Sequence, residues 1–137
     1  MKEINDESQK GSKMYGNTAH NIYAQNNIGI ESPAKLIEML YEGVLRFNAQ
    51  AKKAMKDLDI EKRSYWTNRS IAIITELSAV IDYEKGGNIA AYLSGLYDYQ
   101  LKLLIRSNIE NSIDKVDECS NVFKGLLEAW RESTNVA

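Results

Sequence analysis

A chain of 137 residues, 44% of them hydrophobic, fits one domain with enough apolar side chain for a core. A formal net charge of −2 argues against nucleic acid as a partner, and a single cysteine excludes an internal disulfide, which fits a reducing compartment. No apolar run approaches the ~20 residues that span a bilayer, and the opening MKEINDESQK lacks the apolar stretch of a secretory signal, so the expected location is the cytoplasm.

Residues 1–31 are polar and rich in Asn, Gln, Ser and Lys. The first part of this stretch cannot bury enough apolar surface to offset its ordering. Ile22, Tyr23, Ile28 and Ile30 are isolated apolar side chains that need a docking place. The stretch is therefore expected to be a flexible N-terminal arm, able to form a short capping helix, ahead of a helical body over 32–137.

The first long helix is expected from Pro33 to about Asp57. Pro33 is the only proline of the chain and follows Ser32. A serine can cap the orphan N–H groups, and a proline at the first helical position loses nothing. Leu36, Leu40, Val44, Phe47, Ala51 and Met55 then recur with the 3.6-residue period of an amphipathic helix, while Lys35, Glu38, Glu42, Arg46 and Lys53 fall on the other side. Lys52, Lys53 and Lys56 read as a solvated face. Asp57 or Asp59 offers the next N-cap.

The second helix is expected from about Ile60 to Tyr83, with Ile60, Ile71, Ile74, Leu77 and Ile81 inward and Trp66 beside them. Gly86-Gly87 would close it, since a glycine just past a helix can take the left-handed conformation that satisfies the last carbonyls. The third helix is expected from about Asn88 to Arg106. The fourth starts near Asn111 or Ser112, with Asn111 and Asp114 resembling a capping box, and ends near Ser133. Its stripe is Ile113, Val116, Cys119, Phe123, Leu126 or Leu127, and Trp130. Short connections make neighbours antiparallel, so the fold class is all-α, an antiparallel four-helix bundle.

The third helix carries more apolar surface than one core needs. Ile89, Leu93, Tyr97, Leu101, Leu104 and Ile105 cover one arc, and Tyr92, Leu96, Tyr99 and Leu103 extend it. Together they span about 240°, against little more than about 100° for a helix facing one core. Such a helix is either central, touching all three others, or borders a groove for another chain.

The residues of a catalyst are missing. His20 is the only histidine and lies in the arm, far from any dense acidic group, so a Ser-His-Asp arrangement lacks its held imidazole. One His and one Cys do not make a zinc site, and no Glu-x-x-His pair of a di-iron bundle occurs. Cys119 sits in an apolar pattern as a small hydrophobe. Glu38 with Glu42, and Asp114 with Asp117 and Glu118, fall at polar helix positions. No enzyme, metal or cofactor is expected.

Three stretches resemble the flagellar export chaperone family, FliS. They are Tyr23-Ala24-Gln25-Asn26-Asn27-Ile28 followed by Ser32 to Gly43, then Asp82-Tyr83-Glu84-Lys85-Gly86-Gly87, then Leu96-Tyr97-Asp98-Tyr99 followed by Leu126-Leu127-Glu128-Ala129-Trp130. The chain departs from the family pattern at Ile30-Glu31, where a threonine and a small residue are frequent, and at Glu42, where aspartate is. The resemblance implies a helical bundle, mostly monomeric, that binds the C-terminal segment of newly made flagellin and delivers it to the export gate protein FlhA. It also implies competition with the regulator FliW in some relatives and a co-chaperone in some bacteria.

Amphipathic surplus and family pattern together place cargo contact on Tyr23, Leu40, Tyr41, Tyr92, Leu96, Tyr99 and Leu103, with Ile22, Ile28 and Ile30 as the arm. The arm is either a lid displaced by cargo or a permanent part of the core. A different class of function, a structural module that homodimerises through its surplus apolar surface, fits the same surplus.

Overall fold

The structure is a computed structural model, and it describes residues 32–134. The arm expected over residues 1–31, with His20, Ile22, Tyr23, Ile28 and Ile30, lies outside the described residues. Four helices follow in order: α1 (Pro33–Lys56), α2 (Ile60–Ala79), α3 (Tyr83–Glu110) and α4 (Ile113–Thr134).

Local chemistry sets each boundary. Ser32 is extended, and its Oγ accepts the Lys35 N–H at 3.3 Å, so α1 begins where the Ser-Pro pair predicts. At its other end the Asp59 N–H donates to the Ala54 carbonyl at 2.9 Å and the Leu58 N–H to the Met55 carbonyl at 3.2 Å. These are the two bonds of a Schellman cap, and Leu58, at φ 55°, occupies the left-handed position that favours glycine. Asp59 then caps α2, accepting the Lys62 N–H at 3.0 Å.

The α2–α3 boundary differs from the sequence expectation. α2 stops at Ala79, not Tyr83, and Gly86-Gly87 belongs to the first turn of α3. The reason is Asp82, whose carboxylate accepts the Glu84 and Lys85 N–H groups and starts a helix before the glycines are reached. Gly87 breaks that helix after one turn, with φ 52° and ψ −125°, so its left-handed freedom serves a kink rather than a C-cap. α3 then continues to Glu110, past the expected Arg106. Asn111 is the left-handed cap of α3, so no capping box with Asp114 forms, and Ser112 caps α4 by accepting the Lys115 N–H at 3.2 Å.

The connections are too short for anything but antiparallel neighbours. The backbone of α1 lies against α2 and α4, and that of α3 against α2 and α4, with no close backbone approach across either diagonal among the described residues. α3 is therefore a corner helix. Its backbone packs on two neighbours, and it meets α1 through side chains, as where the Tyr41 and Tyr97 hydroxyls bond.

The core holds Val44, Ile74, Leu77, Leu104, Val116, Cys119 and Phe123, all buried. A polar layer crosses it. The Ser70 hydroxyl donates to Asn48 Oδ1 at 2.7 Å, and Asn48 Nδ2 donates to the Ser120 hydroxyl at 3.1 Å, tying α2, α1 and α4 in one register. An added Cβ on Gly43 would stand 2.7 Å from Ile73 Cδ1, so α1 and α2 approach closely there. Two side chains depart from their expected faces. Ile60, expected inward, is 65% exposed in the first turn of α2. Glu38, expected outward, is buried, with Lys35 at 2.9 Å and Arg131 of α4 at 3.9 Å.

Candidate functional site

Antiparallel order brings the start of α1, the end of α2, the start of α3 and the end of α4 to one end of the bundle. An apolar groove of about 540 Å³ opens there. Leu36 and Ile37 line it from α1, Leu77 from α2, Ile89 and Leu93 from α3 and Trp130 from α4, while Asp82 and Lys85 add polar groups. Trp130 is fixed by its Nε1–H, which donates to the Ala34 carbonyl at 2.8 Å.

Tyr41 and Tyr97 also line the groove, nearly buried, with their hydroxyl oxygens 2.7 Å apart. Burial pushes the Tyr97 phenol far above its ordinary range, and the bond to Tyr41 adds to that shift. Burial raises Tyr41 as well, against the opposing effect of its bond to Tyr97. Both therefore stay neutral, and the groove carries a neutral hydrogen-bonded pair at its inner side.

A second surface continues from the groove along α3. Ile89 lines the groove and is 69% exposed, and Tyr92 one turn on is 67% exposed. Leu96, half-buried, and Tyr99, 53% exposed, complete a stripe at helical spacing. The Tyr99 hydroxyl donates to Glu118 Oε1 at 3.3 Å, so the stripe borders α4.

The seven residues singled out from sequence are thus divided. Tyr92, Leu96 and Tyr99 share the outer stripe. Leu40 and Leu103 are enclosed by the chain itself, and Tyr41 is nearly buried beside the end groove. Tyr23 lies outside the described residues. Of the groove's lining, Tyr41 is among the residues singled out from sequence, whereas Leu36, Leu77 and Trp130 read there as core stripes. The available signal was topological, since antiparallel order makes four helix ends with apolar terminal turns converge.

Among the described residues no group of three or more His, Cys, Asp and Glu converges as a metal site would, and no helix is long and apolar enough to cross a membrane. Burial pushes the Cys119 thiol up to about 12, against a hydrogen bond with Asn48 and with some help from the Glu118 charge.

Residues 15–137 match the family described as "Flagellar protein FliS". The chain is 57% identical over 122 residues to the "Flagellar secretion chaperone FliS" of Campylobacter jejuni subsp. jejuni, covering 89% of this chain and 95% of the relative. It is 33% identical over 122 residues to the protein of the same name from Salmonella typhimurium, covering 84% and 90%. It is 27% identical over 111 residues to that of Bacillus subtilis, covering 81% and 82%.

Proposed function

The chain belongs to the flagellar protein FliS family, and from that premise we propose that it holds the C-terminal segment of flagellin and delivers it to the export gate protein FlhA. Flagellin's terminal segments pair in the filament, so a partner that occupies one of them prevents premature polymerisation in the bacterial cytosol. FliW or a co-chaperone would share this pathway.

The observation that supports the reading is the continuous apolar track from the end groove through Ile89, Tyr92, Leu96 and Tyr99. A disordered segment that folds on binding can wrap such a track with helical and extended pieces. Coupled folding and binding of this kind buries on the order of 1,000–3,000 Å² and costs a few kcal/mol in ordering. A pre-formed bundle keeps that cost on the guest. Tyrosines suit the track, since each presents a large apolar face and a hydroxyl that tolerates water when the site is empty.

The arm joins the bundle at Ser32, beside Pro33, which lines the groove. In this reading Ile22, Tyr23, Ile28 and Ile30 lie over the groove until cargo displaces them. Leu40 and Leu103 then act by shaping the bundle beneath the track rather than by touching cargo.

Calorimetric titration with flagellin, and with flagellin lacking its last ~40 residues, a length of about 60 Å as helix, tests the proposal. Binding of the intact protein alone is expected. Equal binding of both would remove the C-terminal segment from the account. Sedimentation across concentration separates the other reading, in which the stripe mates with a second copy and the free chain is a dimer.

A further inference from the structure

On the outer seam between α1 and α2, two guanidinium groups lie over one aromatic ring. Arg46 Cζ stands 5.3 Å, and Arg69 Cζ 4.8 Å, from the centroid of Phe47. Arg69 is also 5.5 Å from the ring of Tyr65 and 5.9 Å from that of Trp66. The rings themselves form a continuous platform, with Phe47 and Trp66 centroids 5.5 Å apart and Tyr65 set edge-on to Trp66 at 4.9 Å. Phe47 and Trp66 are half-buried, whereas Arg46, Arg69 and Tyr65 are exposed. Arg69 Nη1 donates to the Tyr65 hydroxyl at 3.3 Å.

Neither arginine has a carboxylate partner among the described residues. Glu42, one turn before Arg46, is taken by Arg131 at 3.2 Å. Other cations of the bundle, among them Lys35, Lys102, Arg106 and Lys115, are paired with acids. Two like charges thus share one platform without a counter-ion, on a chain of net charge −2. Stacking holds a guanidinium flat and leaves its N–H edges for a bidentate acceptor. Trp, Tyr and Arg are also the side chains that dominate the energy of protein interfaces.

We propose that this Arg46–Phe47–Trp66–Arg69 platform is a second docking site, for a partner-protein segment that presents carboxylates beside apolar side chains. It is separate from the cargo track, since Trp66 lies about 16 Å along α2 from Leu77 of the end groove. A second copy of the chain is a poor occupant, because a two-fold contact would set arginine against arginine with no acid in the platform to answer them. Single-stranded nucleic acid also stacks on aromatic and arginine side chains, but a polyanion needs a longer basic track than two cations on an acidic chain.

The test is fluorescence anisotropy with a short labelled peptide carrying Glu beside Leu and Phe, its Gln-for-Glu twin, and a labelled oligothymidine. The acidic peptide is expected to bind, and its Gln twin to bind at least about tenfold more weakly, as loss of one charge-assisted hydrogen bond implies. The double variant Arg46→Gln/Arg69→Gln should lose about tenfold or more while its thermal melting stays unchanged. Tyr99→Glu should leave the peptide affinity intact, which distinguishes this platform from the cargo track even if the cargo assignment fails. Absence of saturable binding at millimolar peptide, equal binding of the Gln twin, an unaffected double variant, or capture of the oligothymidine in the peptide's place would each overturn the proposal.

Discussion

The hydroxyls of Tyr41 and Tyr97 meet at 2.7 Å, joining α1 to α3 across a diagonal of the bundle that no backbone contact spans. Phe123 of α4 supports both rings, edge-on to Tyr41 at 5.8 Å between centroids and stacked on Tyr97 at 6.3 Å. The pair braces the inner side of the end groove, so it links core stability to groove shape. Tyr41→Phe leaves the Tyr97 hydroxyl buried without a partner, which should cost about 1–3 kcal/mol in urea unfolding. Replacing both tyrosines by Phe removes donor and acceptor together, and part of the loss should return. A double variant as unstable as the sum of the singles would show that the hydroxyls do not act as a pair.

Leu58 holds φ 55° at the left-handed position of the α1 cap, where its Cβ crowds the backbone. The cap's two backbone bonds need that conformation whatever the side chain, and Leu58 is 76% exposed, so the leucine contributes little contact. Leu58→Gly is expected to raise stability by up to about 1 kcal/mol, less the greater entropy glycine gives the unfolded chain. Leu58→Ala, which keeps the Cβ strain, should not. Equal melting temperatures for the two variants would place the conformational cost elsewhere.

The helix count, the bundle class and most core positions were legible in the sequence, because the 3.6-residue period of Leu40, Val44, Ala51 and Met55 depends only on one buried face. The Ser32-Pro33 start was legible for the same local reason. Gly86-Gly87 misled because a glycine pair fits a C-cap or a kink equally well, and Asp82 decides between them. The excess apolar arc of α3 was visible, but its division was not. Only the square arrangement shows that Leu103 points inward while Tyr92 and Tyr99 stay outside. The Arg46–Phe47–Arg69 platform was hidden because its members come from two helices whose relative register no local pattern states.

Burial raises the Glu76 carboxyl above the ordinary carboxylate range. Its folded state therefore holds a proton over a pH window in which the unfolded chain has released it. Stability falls as pH rises through that window, from the unfolded value up to the raised folded one, and the lost stability stays lost at neutral pH. Glu76→Gln should unfold at higher urea than the parent at pH 7, with the difference closing as pH drops to about 4. A gap independent of pH would point to altered contacts rather than to the carboxylate charge.

Cys119 is fully buried and burial holds its thiol up at about 12, so the reactive thiolate is scarce at pH 8. Labelling by a disulfide reagent should be slow in the folded protein and fast in denaturant. The folded rate should follow the opening of α4 against α1, since Asn48 of α1 bonds Ser120 next to Cys119. Rapid native labelling would mean that the α1–α4 seam opens far more readily than its buried polar layer implies.

Tyr99 separates a binding role from a packing role. It is 53% exposed, and its one described hydrogen bond is to the Glu118 carboxylate at 3.3 Å on the surface. Tyr99→Glu removes an apolar face from the proposed track and sets a second carboxylate beside Glu118, while no core contact is lost. Helicity and melting should change little, and flagellin affinity should fall roughly tenfold or more, the effect of losing a buried aromatic anchor. Leu103→Ala provides the counterpart, because that side chain is only 6% exposed. It should lower stability by about 2–4 kcal/mol through the cavity it leaves, with cargo affinity following only as the bundle loosens. If Tyr99→Glu melts early, or binds cargo as well as the parent, the outer stripe of α3 is not where flagellin sits.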